Sequence, residues 1–194
     1  MLDLKVPLVG GADHGYSEAV YLEDLESNGI ELNRDKPVNE WDIREDGRIT
    51  GITEELSAQD IYELGKELDT FVIAEGTRMG HVYLSVKNSR EACAFYQESL
   101  GLEDKFTIPH ASWIASGDYH HHLAVNEWGG KNLAPREHRM TGLAYYAVEV
   151  ENKEFLVNLF RQAQDQQGQL QWISSSEFSI TDKDGIVTRV RVEN

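Results

Sequence analysis

The strongest constraint on this chain is an order of elements that occurs twice. "GHVYLSV" (80–86) alternates like a strand, and "KNSREACAFYQESLGL" (87–102) follows with Ala92, Phe95, Tyr96 and Leu100 at helical spacing. Asn88 and Glu91 form a capping box at its start, and Gly101 stops it. Three strand-like runs come next, "KFTIP", "ASWIAS" and "HHHLAVNEW". The plan then repeats in "GLAYYAVEV", the helical "NKEFLVNLFRQAQ", and "LQWIS", "EFSIT" and "VTRVRVE". This duplication predicts two βαβββ modules, residues 78–130 and 140–194, joined by the glycine-, proline- and charge-rich link "GGKNLAPREHRMTG".

Residues before 78 do not follow that plan. "HGYSEAVYLED" and "GIELNRD" read as a hairpin joined at "LESNG", with Asn28-Gly29 as its turn. "LVGGAD" reads as a short glycine turn, "EDGRITGITEEL" as a solvated linker, and "SAQDIYELGKEL" as a helix opened by Ser57. We therefore expect 1–35 to be the tail of a preceding module, 36–77 a linker with a short helix, and 78–194 a duplicated domain.

A net charge of −16 opposes binding to nucleic acid or to anionic lipid, both of which need clustered Lys and Arg. No stretch approaches the roughly 20 apolar residues of a membrane span, and the start lacks a signal peptide's basic flank and apolar run. The single cysteine, Cys93, falls among the apolar positions of the first helix and reads as a buried, inert thiol. These features point to a cytoplasmic protein with no nucleic-acid or membrane partner. Phosphate-binding glycine loops, Gly-x-Ser-x-Gly and His-Glu-x-x-His are absent from the sequence.

The strand-opening Gly-His at 80–81, the Phe-Tyr-x-x-x-Leu-Gly helix end at 95–101 and the Tyr-His-His-His run at 119–122 together resemble the vicinal oxygen chelate superfamily. More narrowly, they resemble its extradiol ring-cleaving dioxygenases, the catechol 2,3-dioxygenase-like proteins. The resemblance implies an α+β fold in which paired βαβββ modules form a cup-shaped mixed sheet with helices outside. It also implies a metal-dependent dioxygenase that uses Fe(II), or another divalent metal such as Mn, on a small catechol-like aromatic. Full-length relatives carry four modules, so this chain is expected to lack an N-terminal part or to assemble as a homo-oligomer.

In such enzymes two histidines and a carboxylate hold the metal on one face, and another histidine moves protons. Carried over by position, His81 stands at one ligand site and His121 at the acid–base site. Tyr145 stands where the second ligand histidine is expected, and Arg189 where the carboxylate is. A guanidinium has no lone pair to donate, so the usual triad is expected to be missing from residues 78–194. Glu149 and Glu193 share strand phase with these positions but sit four residues along, about 13 Å away. In the first segment, the resemblance makes Glu31 a metal ligand and His14 and Tyr21 substrate-facing catalytic groups. It also expects a proline and a glycine where Leu25 and Ser27 stand.

The triple histidine leaves alternatives open. On a strand, side chains alternate, so His121 should face opposite to His120 and His122. That favours His121 for proton transfer, yet His120-x-His122 is itself a metal-binding spacing. A purely structural use of all three is the third reading. His120 accordingly joins His81 and Glu31 as candidate ligands, and His122 joins Tyr145 and Arg189 as candidate substrate contacts. Two other functions compete with the dioxygenase: a non-catalytic module that binds aromatic or anionic ligands, and a glyoxalase-type lyase or isomerase, which also needs carboxylate ligands.

Overall fold

Gly10–Asp13 (β1), Ser17–Glu23 (β2) and Gly29–Asp35 (β3) form an antiparallel meander. In this computed structural model, residues 5–64, 72–130, 132–137, 139–166 and 168–193 are described. The expected hairpin is present, but Asn28-Gly29 is not its turn. Five residues, 24–28, connect β2 to β3, and Asp24 organises them. Its Oδ1 accepts from the backbone N–H groups of Glu26 and Asn28, and its Oδ2 from the Asn28 side-chain amide. These bonds hold the Asp24 carboxyl below the usual range, the Asn28 side chain contributing most. Ser27 carries the positive φ of 62° that the loop requires, a conformation glycine adopts without strain.

Residues 36–56, expected as a linker, fold onto this sheet. Asp42–Ile43 (β4) pairs with Ile49–Thr50 (β5), and Glu54–Glu55 (β6) pairs with β1. Trp41 and Ile49 are buried, and the Trp41 indole N–H donates to the Lys36 carbonyl. The glycine run first read as a turn is thus strand β1. A Cβ at Gly11 would lie 2.7 Å from Leu56 Cδ2 and 3.1 Å from the Ala19 carbonyl oxygen, so a larger residue there would displace the Leu56 side chain. Helix α1 (Ala58–Leu64) follows Ser57, whose hydroxyl donates to Asp60. The remainder of that expected helix lies outside the described residues.

Contacts divide the chain into Met1–Met79 and Gly80–Asn194. The second unit realises the duplicated plan. Val82–Ser85 (β7), α2 (Ser89–Leu100), Glu103–Ile108 (β8), Ala111–Ala115 (β9) and Leu123–Asn126 (β10) form one module. Tyr146–Val150 (β11), α3 (Lys153–Ala163), Gln169–Ser174 (β12), Glu177–Thr181 (β13) and Val187–Val192 (β14) form the other. Each sheet is mixed, ordered β7-β10-β9-β8 and β11-β14-β13-β12, with its first strand parallel to its last. The fold class is therefore α+β, built from open sheets that are not closed into barrels.

Local chemistry explains both helices. The Asn88 side-chain Oδ1 accepts from the Arg90 and Glu91 amides, and its Nδ2 donates to Glu91, so the expected capping box forms between side chains. Gly101 ends α2 at φ 69°. Asn152 caps α3 by accepting from the Phe155 amide. Leu84, Tyr96, Leu123, Leu156, Phe178 and Val190 belong to one core drawn from both modules. Cys93 is buried as expected, and burial pushes its thiol up to about 11, which keeps it protonated and inert.

A buried polar cluster ties the modules together. The Tyr96 hydroxyl on α2 donates to Asp182 Oδ2 at 2.7 Å, while Asp182 Oδ1 accepts from the Asp184 and Ile186 amides. Asp184 in turn accepts from the Lys87 amide, and the Gln162 side chain on α3 donates to the Glu98 carbonyl. No helix among the described residues is long and apolar enough to cross a membrane.

Candidate functional site

The histidine run is not part of a strand. Gly117, at φ 65°, opens a turn that carries residues 118–121, and the ladder begins where the His122 amide donates to the Ile114 carbonyl. Strand alternation therefore does not apply, and the expected split of faces is corrected. His120 and His121 are both buried, at 1% and 2% exposure, with their Nδ1 atoms 2.8 Å apart. One Nδ1 must carry the shared proton and the other accept it. His81, just before β7, brings its ring centroid to 4.3 Å from that of His121 and 6.3 Å from that of His120.

His122 stands apart from this cluster, exposed, with its Nδ1 accepting from the Ser116 amide at 3.2 Å. His120 is buried and His122 exposed, and the Tyr119 ring contacts both, with centroids at 4.1 and 5.0 Å. Around these three rings, of which His81 is half-buried, lies an aromatic wall that residue spacing alone does not assemble. Tyr83 meets the His121 ring edge-on and stacks on Trp128, and the Trp113 indole N–H donates to the Tyr83 hydroxyl. Period-two alternation from His81 to Tyr83 is the signal present in the sequence; the pairing of both Tyr83 and Trp113 with Ala124 brings them onto one face.

Glu127 accepts from the Ser89 amide and hydroxyl at the start of α2, and from His110. These bonds, the Ser89 amide first, hold its carboxyl below the usual range.

In the second module Tyr145 and Arg189 meet. The guanidinium carbon lies 3.8 Å from the Tyr145 ring centroid, a cation–π contact, and Arg189 Nη1 reaches Glu177 at 3.4 Å. Glu149 binds Arg191 through Nε at 3.0 Å and Nη2 at 2.7 Å, so it does not replace a missing ligand. Among the described residues, no group of three His, Cys, Asp or Glu side chains is arranged to hold a metal ion. The donor set described in this chain does not fit a two-histidine, one-carboxylate centre.

The first unit does assemble its three candidates. His14 Nδ1 donates to the Ile52 carbonyl at 3.0 Å, and its Nε2 meets the Tyr21 hydroxyl. In the neutral ring that leaves Nε2 as the acceptor of the phenolic proton. Tyr21 is paired across the β2–β3 ladder with Glu31, and all three residues are half-buried. Beside them Asp13 binds Lys36 at 2.6 Å; burial raises its carboxyl, but the Lys36 bond, the Gly15 amide and nearby positive charge together bring it below the usual range.

Comparison with known proteins bears on this geometry. The family model described as Glyoxalase/Bleomycin resistance protein/Dioxygenase superfamily matches residues 78–190. A catechol-2,3-dioxygenase of Bacillus subtilis (strain 168) is 33% identical over 150 residues, covering 76% of this chain and 53% of that protein. The chain thus spans about half the length of this curated relative. Among solved structures, a glyoxylase/bleomycin resistance protein/dioxygenase domain from Frankia sp. EAN1pec matches 61% of this chain and 98% of its own, at TM-score 0.47 and 16% identity. The fosfomycin resistance protein FosX from Listeria monocytogenes matches 63% and 94%, at TM-score 0.47 and 12% identity.

Proposed function

Because the chain belongs to the glyoxalase/bleomycin resistance protein/dioxygenase superfamily, we propose that it supplies substrate-binding and proton-transfer groups of an extradiol-type ring-cleaving dioxygenase acting on a catechol-like aromatic. The observation that carries this reading is the His14, Tyr21 and Glu31 constellation, an imidazole poised to accept a phenolic proton beside a carboxylate. A catechol hydroxyl presents the same donor as Tyr21, so His14 Nε2 is chemically suited to receive its proton. His121, enclosed by His81, His120 and Tyr83, is the proton-transfer candidate of the second unit taken by itself. Glu31 is the carboxylate this chain offers to Fe(II) or a similar divalent ion. The remaining ligands come from outside the described residues, and no step is assigned through the ion.

Catechol titrated anaerobically into the full chain should shift the ring resonances of His14 or His121, and His14→Gln should weaken binding about tenfold. Absence of catechol binding, or binding that moves neither ring, contradicts the proposal. One observation favours a second reading, a non-catalytic module for aromatic or anionic ligands: Arg189, stacked on Tyr145, puts a permanent cation where the resemblance expects a carboxylate. On that reading Arg189→Ala weakens binding of an acidic aromatic such as benzoate.

A further inference from the structure

A cavity of about 790 Å³ lies at one end of the second sheet, away from the histidine cluster in sequence and sheet, and none of the roles proposed above uses it. Gln169, Thr181 and Val187 are register partners across β12, β13 and β14, so their side chains share the sheet face that forms one wall. The link between the modules forms another wall, through Pro135, Arg136 and Glu137.

Arg136 is fixed in place by its backbone. Its amide donates to the Asp184 carbonyl at 2.7 Å, and Gly185 lies directly beneath it, where a Cβ would come within 2.4 Å of the Arg136 carbonyl oxygen. Its side chain, in contrast, has donor capacity to spare. Nη1 and Nη2 reach the Ala144 and Met140 carbonyls only at 3.4 Å, and the buried Nε–H makes no hydrogen bond. Arg34, Arg44, Arg48, Arg189 and Arg191 each reach a carboxylate. Arg136 reaches carbonyls, which leave its charge uncompensated.

The chemistry of the lining narrows the ligand. A guanidinium fork matches a carboxylate, and the Gln169 amide and Thr181 hydroxyl add neutral hydrogen-bonding groups. Lys183 also lines the cavity but already reaches Glu91 at 3.4 Å. Asp182 is spent on Tyr96 and two backbone amides. Glu137 adds negative charge, which disfavours a dianion over a monoanion. Pro135, Ala144 and Val187 supply apolar surface for the ligand body. We propose that this cavity binds a small organic monocarboxylate, with Arg136 as its anchor.

Benzoate is the probe, titrated calorimetrically into the full chain, with benzamide and inorganic phosphate as comparisons. Saturable benzoate binding that weakens about 10- to 100-fold in Arg136→Gln and is retained in Arg189→Ala supports the proposal. Because Arg136 also holds the link, the Arg136 Nε–H resonance of the unmutated chain gives an independent readout, and benzoate should shift it. Binding unchanged in Arg136→Gln, an unmoved Nε–H signal, or equal binding of benzamide or phosphate overturns the proposal. Loss of benzoate binding in Arg189→Ala alone places the ligand on the Tyr145 face instead, and also overturns it.

Discussion

Replacing Asp182 with alanine should destabilise the chain by about 3 kcal/mol, because three donors lose one acceptor group in the interior. The Tyr96 hydroxyl, on the first module, and the amides of Asp184 and Ile186, on the second, all converge on this carboxylate. Asp182→Asn keeps an acceptor oxygen for the two amides and should cost far less. The two variants also differ in pH dependence. Burial raises the Asp182 carboxyl above its ordinary value, outweighing the Tyr96 and amide bonds that lower it. For an acid whose folded value is raised, the folded state binds more protons than the unfolded one between the two values. This group's stabilisation is therefore full below the ordinary aspartate value of ~3.9 and declines as pH rises through the folded value. Denaturant unfolding across acid to neutral pH should show that decline in the parent chain and its removal in Asp182→Asn. A parent and an Asn variant with the same pH slope would contradict the assignment.

Gly185→Ala is expected to cost as much, about 3 kcal/mol, or roughly a 10 °C fall in melting temperature for a chain of this size. Two effects add. The residue sits at φ +79°, which alanine adopts only with strain, and the new Cβ would lie 2.4 Å from the Arg136 carbonyl and 3.1 Å from its amide nitrogen. No side-chain rotation relieves a contact with backbone, so the link must lift and the bond from the Arg136 amide to the Asp184 carbonyl is lost. Gly130→Ala is the control. It has φ +97° and open space around the added carbon, so it should cost only about 1 kcal/mol. Equal melting temperatures for the two variants would refute the packing argument.

Much of the second unit was legible in the sequence because its signals are local. Helix caps, a left-handed glycine and hydrophobic period act within a few residues, and Asn88, Gly101 and Asn152 stand where those rules put them. The histidine run failed for a related reason. Period-two reasoning holds only where a ladder exists, and Gly117 delays the ladder to His122, so His120 and His121 turn inward together. The "SGD" before the run was the signal that the turn extends into it. Strand β1 was missed because Gly10 and Gly11 carry no side-chain pattern, and it forms through pairing with β2 and β6. Arg136 was passed over as linker charge, since its use depends on a contact with Gly185 nearly fifty positions away.

The same distinction applies to chemistry. Residue types at motif positions identified His14, Tyr21 and Glu31 as candidates, and the β2–β3 register brings Tyr21 and Glu31 side by side. Among the described residues, Glu127, Glu149 and Glu177 are engaged by Ser89, Arg191 and Arg189, contacts that residue type alone does not reveal.

Anaerobic titration of the 194-residue chain with Fe(II), followed by stoichiometry after desalting, tests the central claim most directly. If this chain carries proton-transfer and substrate groups but only part of a metal site, less than one equivalent of Fe(II) should be retained, and His81→Ala should not change the amount. Retention of one equivalent of Fe(II) that disappears in His81→Ala or Glu31→Gln would contradict the account, because it would show that a complete centre is built within this chain.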